Sequence, residues 1–138
     1  MKWFGVPSHE VRRWQGTAEP FIRRAVNEGN GDYATADVFA ECSQAKMQLW
    51  IVYDEERDDL PVAAVVTSLP ETIRQRRCVI CYLGGSGIMD WVRFLSEIEA
   101  WAKEKGCVSV DILGRPGWER MLSDYRKTAV VLRKFLTP

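Results

Sequence analysis

The chain has 138 residues, 46% of them hydrophobic and 28% charged, the balance of a globular protein long enough to bury one core. Lys plus Arg number 19 and Asp plus Glu number 19, so the formal net charge is zero and excludes an overall electrostatic pull toward nucleic acid or an anionic membrane. Residues 1–14 lack the apolar run of a signal peptide and no later segment approaches membrane-spanning length, so the expectation is a cytoplasmic protein whose four cysteines stay reduced.

No repeat, low-complexity tract or linker divides the sequence, and a single domain over residues 1–138 is expected. The first third reads as helical. Val11 and Trp14 share a helix face, and Phe21, Ile22, Ala25 and Val26 continue at helical spacing. Pro20 fits the first turn of a helix, which predicts two short helices with a joint near Gly16. "NEGNGD" breaks the chain, and "TADVFAECSQA" predicts a further helix with Thr35 as its cap.

The period then changes. "QLWIVY" and "LPVAAVVTSL" read as strands joined by a turn at "DEERDD", with Pro61 suited to a strand end, and "CVICYL" reads as a third strand. Trp91, Phe94, Leu95, Ile98, Trp101 and Ala102 then form one apolar stripe, with Asp90, Arg93, Glu97 and Lys103 away from its centre and Gly106 at its end. "VSVDIL" is strand-like, "GRPGWERMLSDY" a turn and short helix, and "TAVVLRKFL" a closing strand. This order predicts an α/β fold with a mixed, mainly antiparallel sheet flanked by helices.

Five groups of residues carry possible chemistry or binding. "YLGGSG", between a strand and a helix, has glycines that let backbone approach an anion near a helix N-terminus. Cys78 and Cys81 form a CxxC, but strand residues three apart face opposite ways and His9 is the only histidine, so structural cysteines are preferred to a metal or redox site. Arg74, Arg76 and Arg77 suit a solvated turn or an anion contact, and Arg115 with Trp118 suits packing or a cleft wall. Trp3, Phe4, Trp14 and Trp50 suit a core or a docking patch.

The element order, with "IEAWAKEKGCVSVDIL" followed by "GRPGWERMLSDYRKTAVVLRKFL", resembles the GNAT N-acetyltransferase superfamily over nearly the whole chain. The dress "LWIVYDEE…AAVVTSL", "GGSG…W" and "GRPGW…Y" is similar to small GNAT-like proteins encoded by bacteriophages and prophages. The resemblance implies that "CVICYL" and "VSVDIL" are splayed central strands opening on acetyl-CoA, with Tyr82, Leu83, Gly84, Gly85, Ser86 and Gly87 around its pyrophosphate. Gly85 and Gly87 then stand at the family's glycine positions and Tyr82 where Gln or Arg is usual. Aligned backward from Gly106 without a gap, Met89 and Trp91 take the glycine positions instead. Arg74, Arg76 and Arg77 become candidates for the 3′-phosphate of the cofactor.

The same resemblance makes Tyr125 the provisional acid for the departing thiolate, with Leu122 nearer that position by offset. "RRCVICYL" holds no carboxylate to act as base, and Glu71 and Asp111 are the nearest acids. Two functions are therefore implied. One is transfer of acetyl from acetyl-CoA to a primary amine. The other is a catalytically silent interaction or assembly protein of a phage particle or its morphogenesis, with phage structural proteins or further copies of itself as partners. No metal or nucleic acid is expected in either.

Overall fold

The computed structural model describes residues 1–29, 31–85, 94–113 and 118–138. Strand β1, Lys2–Val6, leads through a single 3-10 turn, Ser8–Glu10, into helix α1, Val11–Asn27, and then helix α2, Thr35–Ser43. Strands β2, Gln48–Asp54, β3, Leu60–Ser68, and β4, Arg76–Gly85, follow as a meander. Helix α3, Leu95–Glu104, strand β5, Cys107–Ile112, and the single turn of helix α4, Trp118–Met121, complete the elements.

The five strands form one sheet in the order β1-β2-β3-β4-β5. Its first three pairings are antiparallel and the last, β4 with β5, is parallel. A parallel neighbour needs a crossover, and α3 supplies it. The result is the expected mixed, mainly antiparallel sheet flanked by helices.

Three departures from the sequence reading have local causes. The first residues form a strand, not part of a helical third, because Lys2–Val6 pairs along its whole length with β2. A partner more than forty residues away is invisible to local periodicity. Second, α1 is one helix running through both Gly16 and Pro20. These residues lie four apart on the exposed side, so the Gly16 carbonyl, deprived of its amide partner by Pro20, faces water. Third, Thr35 is not the cap of α2. Ala34 holds that position, and the Asp37 carboxylate accepts the Ala34 backbone N–H at 2.8 Å.

Each sheet face buries its own core. On one side Val11, Ala18, Ile22 and Val26 of α1 and Val38, Phe39 and Cys42 of α2 pack on Leu49, Ile51, Ala64 and Val66. On the other, Leu95, Ile98 and Ala102 of α3 pack on Trp50, Val65, Cys78 and Ile80. The α3 stripe is therefore the expected one from Phe94 onward, and Trp91 lies outside the described residues. Gly106 takes a φ of 82°, the left-handed turn that ends α3.

The aromatics read as core or docking patch belong to the core. Trp3 stacks on Trp50 with ring centroids 4.5 Å apart, Trp50 meets the edge of Trp101 at 4.8 Å, and Phe4 meets Trp14 at 5.0 Å. Trp50 is 7% exposed, and its indole N–H donates to the fully buried Thr67 hydroxyl at 3.0 Å. Thr67 passes the bond on to Gln48 Oε1 at 2.9 Å, so the buried polar chain is satisfied.

Residues 126–138 contain no strand. "TAVVLRKFL", read as a closing strand, pairs with nothing described, and its strand-forming side chains do not make a strand without a partner ladder.

Candidate active site

The parallel pair is the feature that can make a site. β5 pairs with β4 from Arg76↔Cys107 to Ile80↔Ile112 and ends there, while β4 continues through Cys81, Tyr82, Leu83 and Gly84 to Gly85. That second half of β4 is paired to β3 on one side and has no β5 partner on the other. Among the described residues no strand pairs with this edge, whose backbone donors and acceptors could take an extended ligand as if it were a strand.

A bulge marks the point of departure. Val66 pairs with Tyr82 and Thr67 with Ile80, leaving Cys81 as the extra residue. The bulge breaks the alternation of faces. Cys78, Ile80 and Leu83 pack with the α3 side, whereas Cys81 and Tyr82, though adjacent, both pack with the α1 side. The two cysteines of the CxxC thus lie on opposite faces, as strand geometry requires.

The structure relocates the phosphate-loop residues. Tyr82, Leu83, Gly84 and Gly85 are strand residues of β4, not a loop. Ser86 and Gly87 lie outside the described residues. A Cβ on Gly84 would run into the Phe21 carbonyl of α1, and one on Gly85 would sit 2.6 Å from the Ala63 Cβ and 2.8 Å from the Val62 carbonyl oxygen of β3. Both glycines are accounted for by internal packing. Tyr82 is half-buried, its ring reaching toward Gly29, and burial first, then Cys81, Tyr33 and Asp32, pushes its hydroxyl above the ordinary range.

Tyr125 is half-buried against the α3 side of the sheet, and its hydroxyl donates to Glu99 Oε2 of α3 at 2.7 Å. Burial first, then this bond and the charge of Glu99, raises its pKa well above the ordinary tyrosine value. Tyr125 therefore holds its proton at neutral pH and holds it toward Glu99. Leu122, the other residue weighed for this position, is buried in the α3 core. Glu99 was not legible as a partner, since it lies 26 residues away on the polar side of α3.

The remaining candidates are engaged in holding the fold. Arg76 donates to the Lys105 carbonyl at 2.6 Å and pairs with Glu71 at 3.0 Å. Arg77 donates to Ser109 Oγ at 2.9 Å, and Ser109 in turn donates to Asp111 Oδ1 at 2.9 Å. These contacts zip the first half of β4 to β5 and lie at the opposite end of β4 from the free edge. Arg74 is exposed, Arg115 lies outside the described residues, and the side chain of Trp118 is likewise not described.

The cysteines are unpaired thiols. Burial pushes Cys42 and Cys78 up to about 12, which leaves them protonated and unreactive near neutrality. His9 is exposed, and among the described residues no group of three or more His, Cys, Asp or Glu is arranged to hold a metal ion. No described helix is long and apolar enough to cross a membrane. A second concavity, a groove of about 420 Å³ between Val6, Met47, Leu69, Trp101 and Lys105, lies at the end of the sheet away from the free edge.

No protein-family model matches the sequence, and no curated protein matches it. Solved structures do match. An aminoglycoside acetyltransferase from an uncultured soil metagenomic sample, solved with sisomicin, aligns at a TM-score of 0.68 and 10% identity over 99% of this chain and 96% of that one. A possible acetyltransferase from Clostridium difficile 630 aligns at 0.67 and 6% identity over 99% of this chain and 97% of that one. A tetramutant of the BH1408 protein from Bacillus halodurans aligns at 0.63 and 13% identity over 99% of this chain and 100% of that one. The likeness spans the whole chain at very low identity and establishes the fold, which is that of the GNAT-like acetyltransferases.

Proposed function

We propose that the protein is a GNAT-type N-acetyltransferase that moves an acetyl group from acetyl-CoA to a primary amine. The observation that carries this reading is the parting of β4 from β5 after Ile80 and Ile112, which leaves a free strand edge beyond the Cys81 bulge in a fold shared with acetyltransferases. Acetyl-CoA, when bound, supplies the activated acyl group. The backbone of Cys81, Tyr82 and Leu83 fits its extended pantetheine arm by offering amides and carbonyls in strand geometry that no described strand pairs on the β5 side. Ser86 and Gly87 are the proposed pyrophosphate residues, since Gly84 and Gly85 are occupied by packing.

Positioning does most of the work in this reading, because no carboxylate stands on β4 to act as base. A carbon–nitrogen bond would form as the carbon–sulfur bond breaks, the amine nitrogen giving its proton to solvent water and the thiolate gaining one. Tyr125 remains the proposed donor, although it must first give up Glu99. Aminoglycosides head the acceptor screen, on the strength of the sisomicin-bound neighbour.

Isothermal titration with acetyl-CoA tests the reading. Micromolar binding, lost in Gly87→Glu, is the expected result, followed by amine-dependent release of free CoA thiol. A folded protein that gives neither heat nor a thermal shift with acetyl-CoA overturns it. The reading that then stands is a GNAT-fold protein without chemistry that assembles with other chains, a virion component among the possibilities. The exposed apolar residues at 130–136 are the observation that favours it.

A further inference from the structure

We propose that the groove at the Arg76 end of the sheet binds a small apolar carboxylate, a molecule with one anionic head and a hydrophobic body. The inference does not rest on acetyl transfer, because this groove lies at the opposite end of β4 from Cys81–Gly85.

The groove exists because both cores end at the same rim. Val6, Met47 and Leu49 belong to the core under α1 and α2, and Trp50, Leu69 and Trp101 to the core under α3. They meet where β1 ends at Val6, β2 begins at Gln48 and β3 ends at Ser68. A concavity of about 420 Å³ remains between them, a size typical of small-molecule sites. Ala45, also in its wall, holds a φ of 60° where glycine would ease the backbone, so a side chain is kept on the groove at some conformational cost.

The polar lining selects the head group. Lys105 makes no ion pair among the described residues, and no Asp or Glu lines the groove. The neighbouring Arg76–Glu71 pair is neutral in sum. Gln48 spends its Oε1 on the Thr67 hydroxyl, which leaves its amide N–H groups to donate. The Trp101 indole N–H has no acceptor among the described residues. One cation and two neutral donors, with no carboxylate beside them, are the complement of a single anion. An ammonium head would meet Lys105 as a like charge.

The walls select the body. Leu69 and Trp101 are half-buried and offer apolar surface that a ligand would take out of water. Behind them Trp50 meets Trp101 edge to face at 4.8 Å and fixes the ring that the ligand covers. Met47, an unbranched and adaptable side chain, closes the α2 side. Lys105 itself is exposed, so its charge is partly screened. Affinity therefore comes from the covered surface, and the ammonium supplies the preference for an acid over an amine.

Titration of the full chain with 2-naphthoate, followed by backbone amide NMR shifts, tests the proposal. Saturable binding with a Kd between about 10 μM and 1 mM is expected, with shifts centred on Val6, Met47, Gln48 and Leu69. Lys105→Gln is expected to weaken it about three- to fivefold, and Lys105→Arg to retain it. The amine 2-naphthylmethylamine, with the same body and a cationic head, should bind at least about tenfold more weakly than the acid. Acetyl-CoA added to the loaded protein should not displace the naphthoate, and the other readouts stand whether or not acetyl-CoA binds. Circular dichroism checks both variants, and if either fails to fold the comparison of the two head groups on the unaltered chain decides. No saturable binding, shifts centred elsewhere or displacement by acetyl-CoA overturns the proposal. Equal affinity for acid and amine, or in a folded Lys105→Gln, also overturns it.

Discussion

Gly84 lies directly beneath the backbone of Phe21, so that a Cβ there would overlap the Phe21 carbonyl oxygen and come 2.8 Å from its carbonyl carbon. This contact seats α1 on the half of β4 that β5 leaves unpaired, and neither backbone can yield easily. Gly84→Ala is therefore expected to cost about 1–3 kcal/mol by overpacking. Gly16→Ala, with nothing within 4 Å of its added methyl inside α1, is expected to stabilise by about 0.4–1 kcal/mol. Chemical denaturation of both variants checks the opposite signs.

Among the described residues Thr67 is the one buried polar residue, and it accepts from Trp50 while donating to Gln48. Thr67→Val keeps the shape and strands the indole N–H without an acceptor. A loss of about 1–3 kcal/mol is expected. The measurement is equilibrium unfolding followed by tryptophan fluorescence, with the indole emission shift reporting the broken bond.

Tyr125→Phe separates a structural bond from an acid. Removing the bond to the exposed Glu99 is expected to cost about 0.5–1.5 kcal/mol of stability. Because the raised pKa and the grip of Glu99 make Tyr125 a weak donor, the turnover rate is expected to fall less than about tenfold. General acid catalysis typically contributes about a hundredfold or more, so a loss of that size in steady-state kinetics would assign Tyr125 the full acid role.

Alkaline pH is expected to unfold the protein through its buried thiols. Burial holds the protons of Cys42 and Cys78 up to about 12, whereas the unfolded chain releases them near the ordinary 9.0. Unfolding then releases protons, so their contribution is complete below pH 9 and is lost as the pH rises toward 12. The slope is at most about 1.4 kcal/mol per pH unit for each thiol. Urea titrations at successive pH values should show this decline, and Cys42→Ala should flatten it by one thiol's share.

Arg76 supports the parallel pair rather than the cofactor. It is bound to the Lys105 carbonyl and Glu71 at the end of β4 remote from Cys81–Gly85. Arg76→Gln is expected to leave acetyl-CoA affinity unchanged and to cost less than about 1 kcal/mol, the range for exposed ion pairs. Titration calorimetry beside a melting curve measures both. A marked loss of affinity would place the arginine at the cofactor.

Sequence periodicity was sufficient for α2, for the α3 stripe from Phe94 onward and for the β2–β3–β4 meander, because each of these patterns is local and repeats within a few residues. It was also sufficient for the opposed faces of Cys78 and Cys81, which follow from strand geometry alone. Tertiary structure decided whatever depends on a distant partner. Lys2–Val6 is a strand because β2 pairs with it, and "TAVVLRKFL" is not one because nothing described pairs with it. Gly84 and Gly85 read as a phosphate loop by composition, yet Phe21 and Ala63 claim the space their missing side chains leave. The Cys81 bulge and the early end of β5 create the candidate site, and neither has a signature in the residues themselves. Local free energy selects helix or strand over a short window, whereas register, bulges and free edges are settled by contacts between segments that meet only in the folded chain.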